Sequence, residues 1–167
     1  MVLDSFSLKG RVALVTGGGT GIGYGIATGL AEAGADIACV YGQHAPDELM
    51  EYVRSLGGRA LPIRADLLQK ESVPYVMEQT LTHFGRLDIL VNNAGICPRA
   101  SALDYSEEIW DEVIQLNQKT VFMLSQLAAK QFIKQNSRGK IINIASMLSF
   151  LASTPRRIPP ASTPSWA

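Results

Sequence analysis

A doubly wound α/β domain with a Rossmann-type parallel sheet is the fold this sequence predicts, and three observations carry that prediction. Short β-branched runs alternate with helically spaced segments along the chain. A glycine-rich turn separates the first run from the first helical segment, and later helical segments close on glycine. Alternation of this kind calls for parallel strands joined by crossover helices.

The first run, Arg11-Val-Ala-Leu-Val-Thr16, breaks into glycine, and Ile22 to Ala33 then spaces its apolar and small residues at the helical period. Asp36 to Tyr41 reads as a second strand, Pro46 to Leu56 as a helix closed by Gly57-Gly58, and Ala60 to Arg64 as a third strand. Ser72 to Phe84 is a further helix ending at Gly85, and Leu87 to Val91 a fourth strand. Ser106 to Gln135 forms one or two long helices, and Lys140 to Ala145 a fifth strand. Five strands against the usual count of about seven make the expected sheet incomplete. After Phe150 the texture changes: residues 151–167 hold four of the eight prolines, two adjacent arginines and no apolar periodicity. The expected organisation is one domain over residues 1–150 and a disordered tail over 151–167.

Composition narrows the partners. The 167 residues carry 15 basic and 15 acidic side chains, a formal charge of zero, so the basic excess that nucleic acid demands is absent. The N-terminus has no apolar signal-like core and no run reaches the roughly 18 apolar residues of a membrane span, which points to the cytoplasm and to small neutral or anionic metabolites. Cys39 and Cys97 lack metal-ligand spacing and read as small core hydrophobes. No metal site is expected.

Thr16-Gly-Gly-Gly-Thr-Gly-Ile-Gly23 lies between a strand and a helix, the setting that separates a dinucleotide loop from a chance glycine cluster. Gly17 allows the tight turn, Gly21 lets backbone approach a pyrophosphate, and Gly23 permits close helix packing, with Ile22 between them. The spacing is TGxxxGxG, and it resembles the short-chain dehydrogenase/reductase family. Three further features carry the same resemblance. Asp66, just past the third strand, matches an aspartate that bonds the adenine amino group, although an aspartate there can also cap a helix. Asn92-Asn93-Ala94-Gly95 follows the fourth strand and matches the family's NNAG signature, which places Asn93 by the adenosine side of the cofactor. Asn117, within Leu-Asn-Gln-Lys, matches an asparagine whose backbone helps hold a water in the proton relay.

The fifth strand delivers Ser146 at its C-terminal end, where ligands sit in open α/β sheets. The resemblance makes Ser146 the catalytic serine that bonds the substrate oxygen as charge develops; Ser149 competes by residue type. The resemblance covers residues 3–150, and Leu3-Asp-Ser-Phe-Ser-Leu with Lys140-Ile-Ile-Asn-Ile-Ala-Ser-Met-Leu-Ser-Phe150 is similar to the 2-deoxy-D-gluconate 3-dehydrogenase subgroup. It implies an NAD- or NADP-dependent oxidoreductase acting on the secondary alcohol or ketone of a sugar acid or polyol. It also implies a homotetramer, whose contacts this chain is expected to lack in part.

One expected part is missing. The family uses a Tyr-x-x-x-Lys pair to move the proton that accompanies hydride transfer. The tyrosine's place is position 159, which is Pro159, and no tyrosine follows Tyr105. Read from the third base of the Arg156 codon, permitted codons over Arg156 to Trp166 spell Ser-Tyr-Thr-Ala-Ser-Lys-(His or Tyr)-Ala-Val-Val-Gly, which holds the missing motif out of frame. The expectation is a truncated, frameshifted and inactive chain, with the shift just after Phe150, or alternatively a catalytically silent nucleotide-binding fragment.

Cofactor choice is weakly marked. The second strand ends in Tyr41 where NAD-preferring relatives carry an acid, and Thr20 stands where a basic loop residue often marks NADP. His44 could meet a phosphate but reads better as a surface residue, Asp47 and Glu48 suit a helix start, and His83 suits a helix end. The subgroup resemblance gives a slight lean to NAD.

Overall fold

The computed structural model describes residues 5–101 and 103–146. It contains a five-stranded parallel sheet: β1 (Val12–Thr16), β2 (Asp36–Tyr41), β3 (Ala60–Arg64), β4 (Ile89–Asn92) and β5 (Lys140–Asn143), in the order β3-β2-β1-β4-β5. The helices are α1 (Gly21–Glu32), α2 (Asp47–Ser55), α3 (Ser72–Phe84), α4 (Glu107–Ile114) and α5 (Val121–Lys134), with a π-helical segment, Gln115–Thr120, between the last two. The proposed tail, Phe150 and Ser149 lie outside the described residues.

β1 is buried at every position, which explains its unbroken apolar run, because a central parallel strand is covered on both faces. Its side chains alternate between two cores. Val12 and Leu14 join Val76, Phe84, Leu124 and Phe132 of α3 and α5, while Ala13 and Val15 join Ala27, Ala31, Leu49 and Val53 of α1 and α2. Helices therefore cover both faces of the sheet, the doubly wound arrangement expected. Pro62 is tolerated because β3 is an edge strand among the described residues, and its outer flank suits a residue that cannot donate.

Several details differ from the sequence reading, among them the fifth strand, which ends at Asn143 rather than Ala145. The fourth strand starts at Ile89 rather than Leu87, because the Gln135 side chain occupies the Leu87 backbone: Leu87 N–H donates to Oε1 at 3.3 Å, and Nε2 donates back to the Leu87 carbonyl. The long helical region is two α-helices, one of the two options the sequence left open, and the π turn that joins them is signalled by no apolar period. Cys97 is exposed and is not a core residue, whereas Cys39 is buried.

β5 pairs with β4 alone among the described residues, and all four of its residues are exposed, with Ile141 and Ile142 at 38% and 41%. Phe122 and Ile133 on α5 are also exposed, at 63% and 80%.

A cleft at the carboxyl ends of the strands

Between β1 and β4 the strand order reverses, and the crevice outside the carboxyl ends of the strands at such a point is where open α/β sheets bind ligands. A cleft of about 810 Å³ opens there. Gly17, Gly21, Ile22, Gly23, Asp66 and Asn93, all six residues singled out for cofactor contact, line it. Ser146 and Asn117 do not line it. Ser146 is half-buried three residues beyond the end of β5, where the Ile144 N–H donates to the Asn92 carbonyl at 2.9 Å and holds this segment beside β4.

The first edge of the cleft is the β1–α1 turn. Thr20 is the N-cap of α1, yet its side chain makes no capping bond, so the first N–H groups of the helix face the cleft without a side-chain partner. Gly21 has φ +55° with open space where a Cβ would stand, so backbone is presented to whatever enters. Gly23 has the opposite character: a Cβ there would overlap the Gly17 carbonyl and the Asn93 amide. The cradle is therefore shaped by missing side chains, and a helix N-terminus carries partial positive charge toward it. These features fit a bound phosphate-bearing cofactor.

Thr16 and Asn93 fasten the two central strand ends. The Thr16 hydroxyl donates to the Val91 carbonyl at 3.3 Å and accepts from the N–H groups of Asn93 and Ala94, each at 3.0 Å. Asn93 Nδ2 donates to the carbonyls of Thr16 and Gly17 at 3.0 and 3.1 Å. Asn92 points elsewhere, its Nδ2 donating to Asn143 Oδ1 at 2.8 Å and to Ser125 Oγ at 3.1 Å, so it ties β4 to β5 and α5. Thr16 was not singled out in the sequence. Its alignment beside the two asparagines comes from pairing across 77 residues, which local pattern does not report.

Asp66 lines the cleft and also organises its own turn. Oδ1 accepts from the Leu68 N–H at 3.0 Å, and Oδ2 accepts from Gln69 Nε2 at 3.5 Å. Asn117 sits in the π turn with its amide paired to the backbone of Ile96, which lines the cleft. Arg64, unremarked in the sequence, lines the cleft as well. A strand-end position next to the buried Ile63 is the signal that places it there. His44 and His83 are exposed and do not line the cleft, and Asp47 and Glu48 stand in the first turn of α2, where negative charge suits the helix dipole.

Behind the loop, Cys39 lies under Gly18, and burial pushes its thiol up to about 12, opposed by a backbone hydrogen bond from Gly18. It is an apolar support for the turn, not a nucleophile.

Sheet order, glycine cradle and strand-end cleft together define a Rossmann-type nucleotide-binding fold. Residues 11–158 match the sequence model of the short chain dehydrogenase family, and the chain belongs to that family. It is 52% identical over 150 residues to the 2-dehydro-3-deoxy-D-gluconate 5-dehydrogenase of Escherichia coli K12, covering 90% of this chain and 59% of the relative. Among solved structures, a short-chain dehydrogenase/reductase from Mycobacterium marinum superposes with a TM-score of 0.87 at 36% identity, covering 95% of this chain and 64% of that one. A putative 2-deoxy-D-gluconate 3-dehydrogenase from Agrobacterium tumefaciens, solved with bound NADP, superposes with a TM-score of 0.77 at 43% identity, covering 90% and 59%. The chain thus spans about 59% of the length of the curated relative it matches. Among the described residues, no helix is long and apolar enough to cross a membrane.

Proposed function

We propose that the cleft holds a nicotinamide dinucleotide and that residues 1–150 are the cofactor-binding domain of an oxidoreductase acting on the secondary alcohol or ketone of a sugar acid. The observation that carries this reading is the convergence of an uncapped helix N-terminus, a side-chain-free cradle, Asp66 and Asn93 on one strand-end cleft. Gly17, Gly21, Ile22 and Gly23 hold the pyrophosphate by backbone N–H groups and dipole. Asp66 accepts from the adenine amino group while its turn keeps it oriented, and Asn93 keeps the two loop walls in register.

The dinucleotide, when bound, supplies hydride exchange. Ser146 donates a hydrogen bond to the substrate oxygen where negative charge develops, and the backbone of Asn117 helps hold a relay water. The names of the E. coli and A. tumefaciens proteins support a sugar acid as the substrate class. The NADP in the latter supports NAD(P) use, beside the slight lean to NAD that the subgroup resemblance gives. A homo-oligomer would cover Phe122 and Ile133.

Position 159, where the resemblance puts the proton-exchanging tyrosine, is proline. We therefore expect it to bind the nucleotide without turnover. Titrating NADH and NADPH while following nucleotide fluorescence, then assaying NAD(P)+ reduction with 2-dehydro-3-deoxy-D-gluconate, tests both parts. Saturable binding without turnover is the expected result. Turnover above a protein-free control sinks the silent reading, and absence of binding sinks the nucleotide site.

A further inference from the structure

We infer that Arg64 selects for a 2′-phosphate on the adenosine ribose, so that the cleft prefers NADP to NAD; this rests on the nucleotide reading above. Arg64 is the last residue of β3, and the parallel register sets it beside Tyr41, the last residue of β2. The two strand ends are tied by the Ala65 N–H donating to the Tyr41 carbonyl at 3.0 Å. Both residues line the cleft, at the flank of the sheet away from β4 and β5. In dinucleotide folds this flank receives the adenosine ribose: an acid there bonds a 2′-hydroxyl, and an arginine nearby accommodates a 2′-phosphate.

Three observations favour the phosphate. First, no acid stands at the end of β2: Tyr41, Gly42 and Gln43 line the cleft and are uncharged, so nothing there repels a phosphate or preferentially holds a hydroxyl. Second, Arg64 is exposed and its side chain makes no hydrogen bond or ion pair among the described residues. Its guanidinium fork is uncommitted, unlike those of Arg11, Arg59 and Arg86, which all pair with aspartates. Third, the one carboxylate lining the cleft among the described residues, Asp66, makes no ion pair with Arg64 and is engaged instead by the Leu68 N–H and the Gln69 amide. A planar, permanently charged fork meeting a dianionic phosphate is the strong form of charge-assisted hydrogen bonding. Arg64 is a specificity-determining residue and takes no part in the chemical step.

The test compares 2′,5′-ADP with 5′-AMP, which differ only by the 2′-phosphate, by calorimetry on the wild-type chain and on Arg64→Gln and Arg64→Leu. Arg64 is exposed, so both variants keep the fold, which thermal melting verifies. The expected result is that wild type binds 2′,5′-ADP about tenfold or more tightly than 5′-AMP, that both variants bring this ratio to about one, and that 5′-AMP affinity is unchanged. Added salt should narrow the wild-type ratio. A preference that survives both substitutions, or equal binding of the two probes by wild type, overturns the role of Arg64 and leaves the nucleotide cleft standing. Failure of both probes and of NADP to bind wild type overturns the cleft reading and this inference together.

Discussion

The side chain of Asn117 pairs with the backbone of Ile96 as a second strand would: Oδ1 accepts from the Ile96 N–H at 2.9 Å and Nδ2 donates to the Ile96 carbonyl at 2.8 Å. The pair joins the π turn after α4 to the loop after β4, and a Cβ added at Gly95 would make a tight 3.2 Å contact with Asn117 Oδ1. A π turn is a strained and rare helical form that recurs at functional sites. Here the bond to Ile96 gives it an anchor.

Asn117→Leu should therefore destabilise the domain by about 1–3 kcal/mol, because it removes two hydrogen bonds to the half-buried Ile96 backbone. Urea unfolding measures this as a lower midpoint at an unchanged slope. A midpoint equal to that of the wild type would show that the pair contributes nothing to the fold.

Gly23→Ala and Gly25→Ala form a matched pair on α1. The first places a methyl group against the Gly17 carbonyl and the Asn93 amide, whereas the second meets nothing within 4 Å. Gly23→Ala should cost about 1–3 kcal/mol by overpacking and abolish nucleotide binding. Gly25→Ala should gain about 0.5–1 kcal/mol through helix propensity and leave binding intact. Thermal melts with and without NADPH separate the two, and similar behaviour of the pair would remove the steric explanation.

Asp88 predicts an acid-sensitive element of stability. Burial works to raise its carboxyl, but hydrogen bonds from Arg86, the Val12 N–H and Arg11 outweigh burial and hold it below the usual carboxylate range. A carboxyl lowered on folding stabilises fully above its unfolded pKa of about 3.9 and loses that contribution as pH falls through the folded value. Asp88→Asn should flatten the loss of stability below about pH 4. Denaturant midpoints measured from pH 7 to 3 provide the check, and parallel curves for both proteins would count against this role.

The two thiols should react unequally. Cys97 is exposed, whereas Cys39 is buried with its thiol pushed up to about 12. A disulfide reagent at neutral pH should titrate one thiol in the native protein and both in denaturant. Two rapid native reactions would mean that the support beneath Gly18 is open to solvent.

Much of this architecture was legible because local rules and tertiary demands agree. Asp36–Tyr41, Ala60–Arg64 and Ser72–Phe84 have the bounds read from their patterns, since the glycines before Ala60, the buried run of the second strand and the Gly85 cap mark their limits. The glycine spacing likewise brings Gly17, Gly21 and Gly23 to the cleft. What was not legible depends on partners distant in the chain. The Gln135 amide takes the Leu87 backbone from 48 residues away and delays β4. The π turn is anchored to Ile96, and Arg64 gains its meaning from lying beside Tyr41. No window of local sequence contains either relationship.

Hydrogen exchange on the 167-residue protein with and without NADPH tests whether the strand-end cleft receives a dinucleotide. A bound dinucleotide should slow exchange chiefly in residues 17–24, 64–68 and 93–96 and leave β5 unchanged. Uniform exchange, or protection confined to other segments, would contradict it.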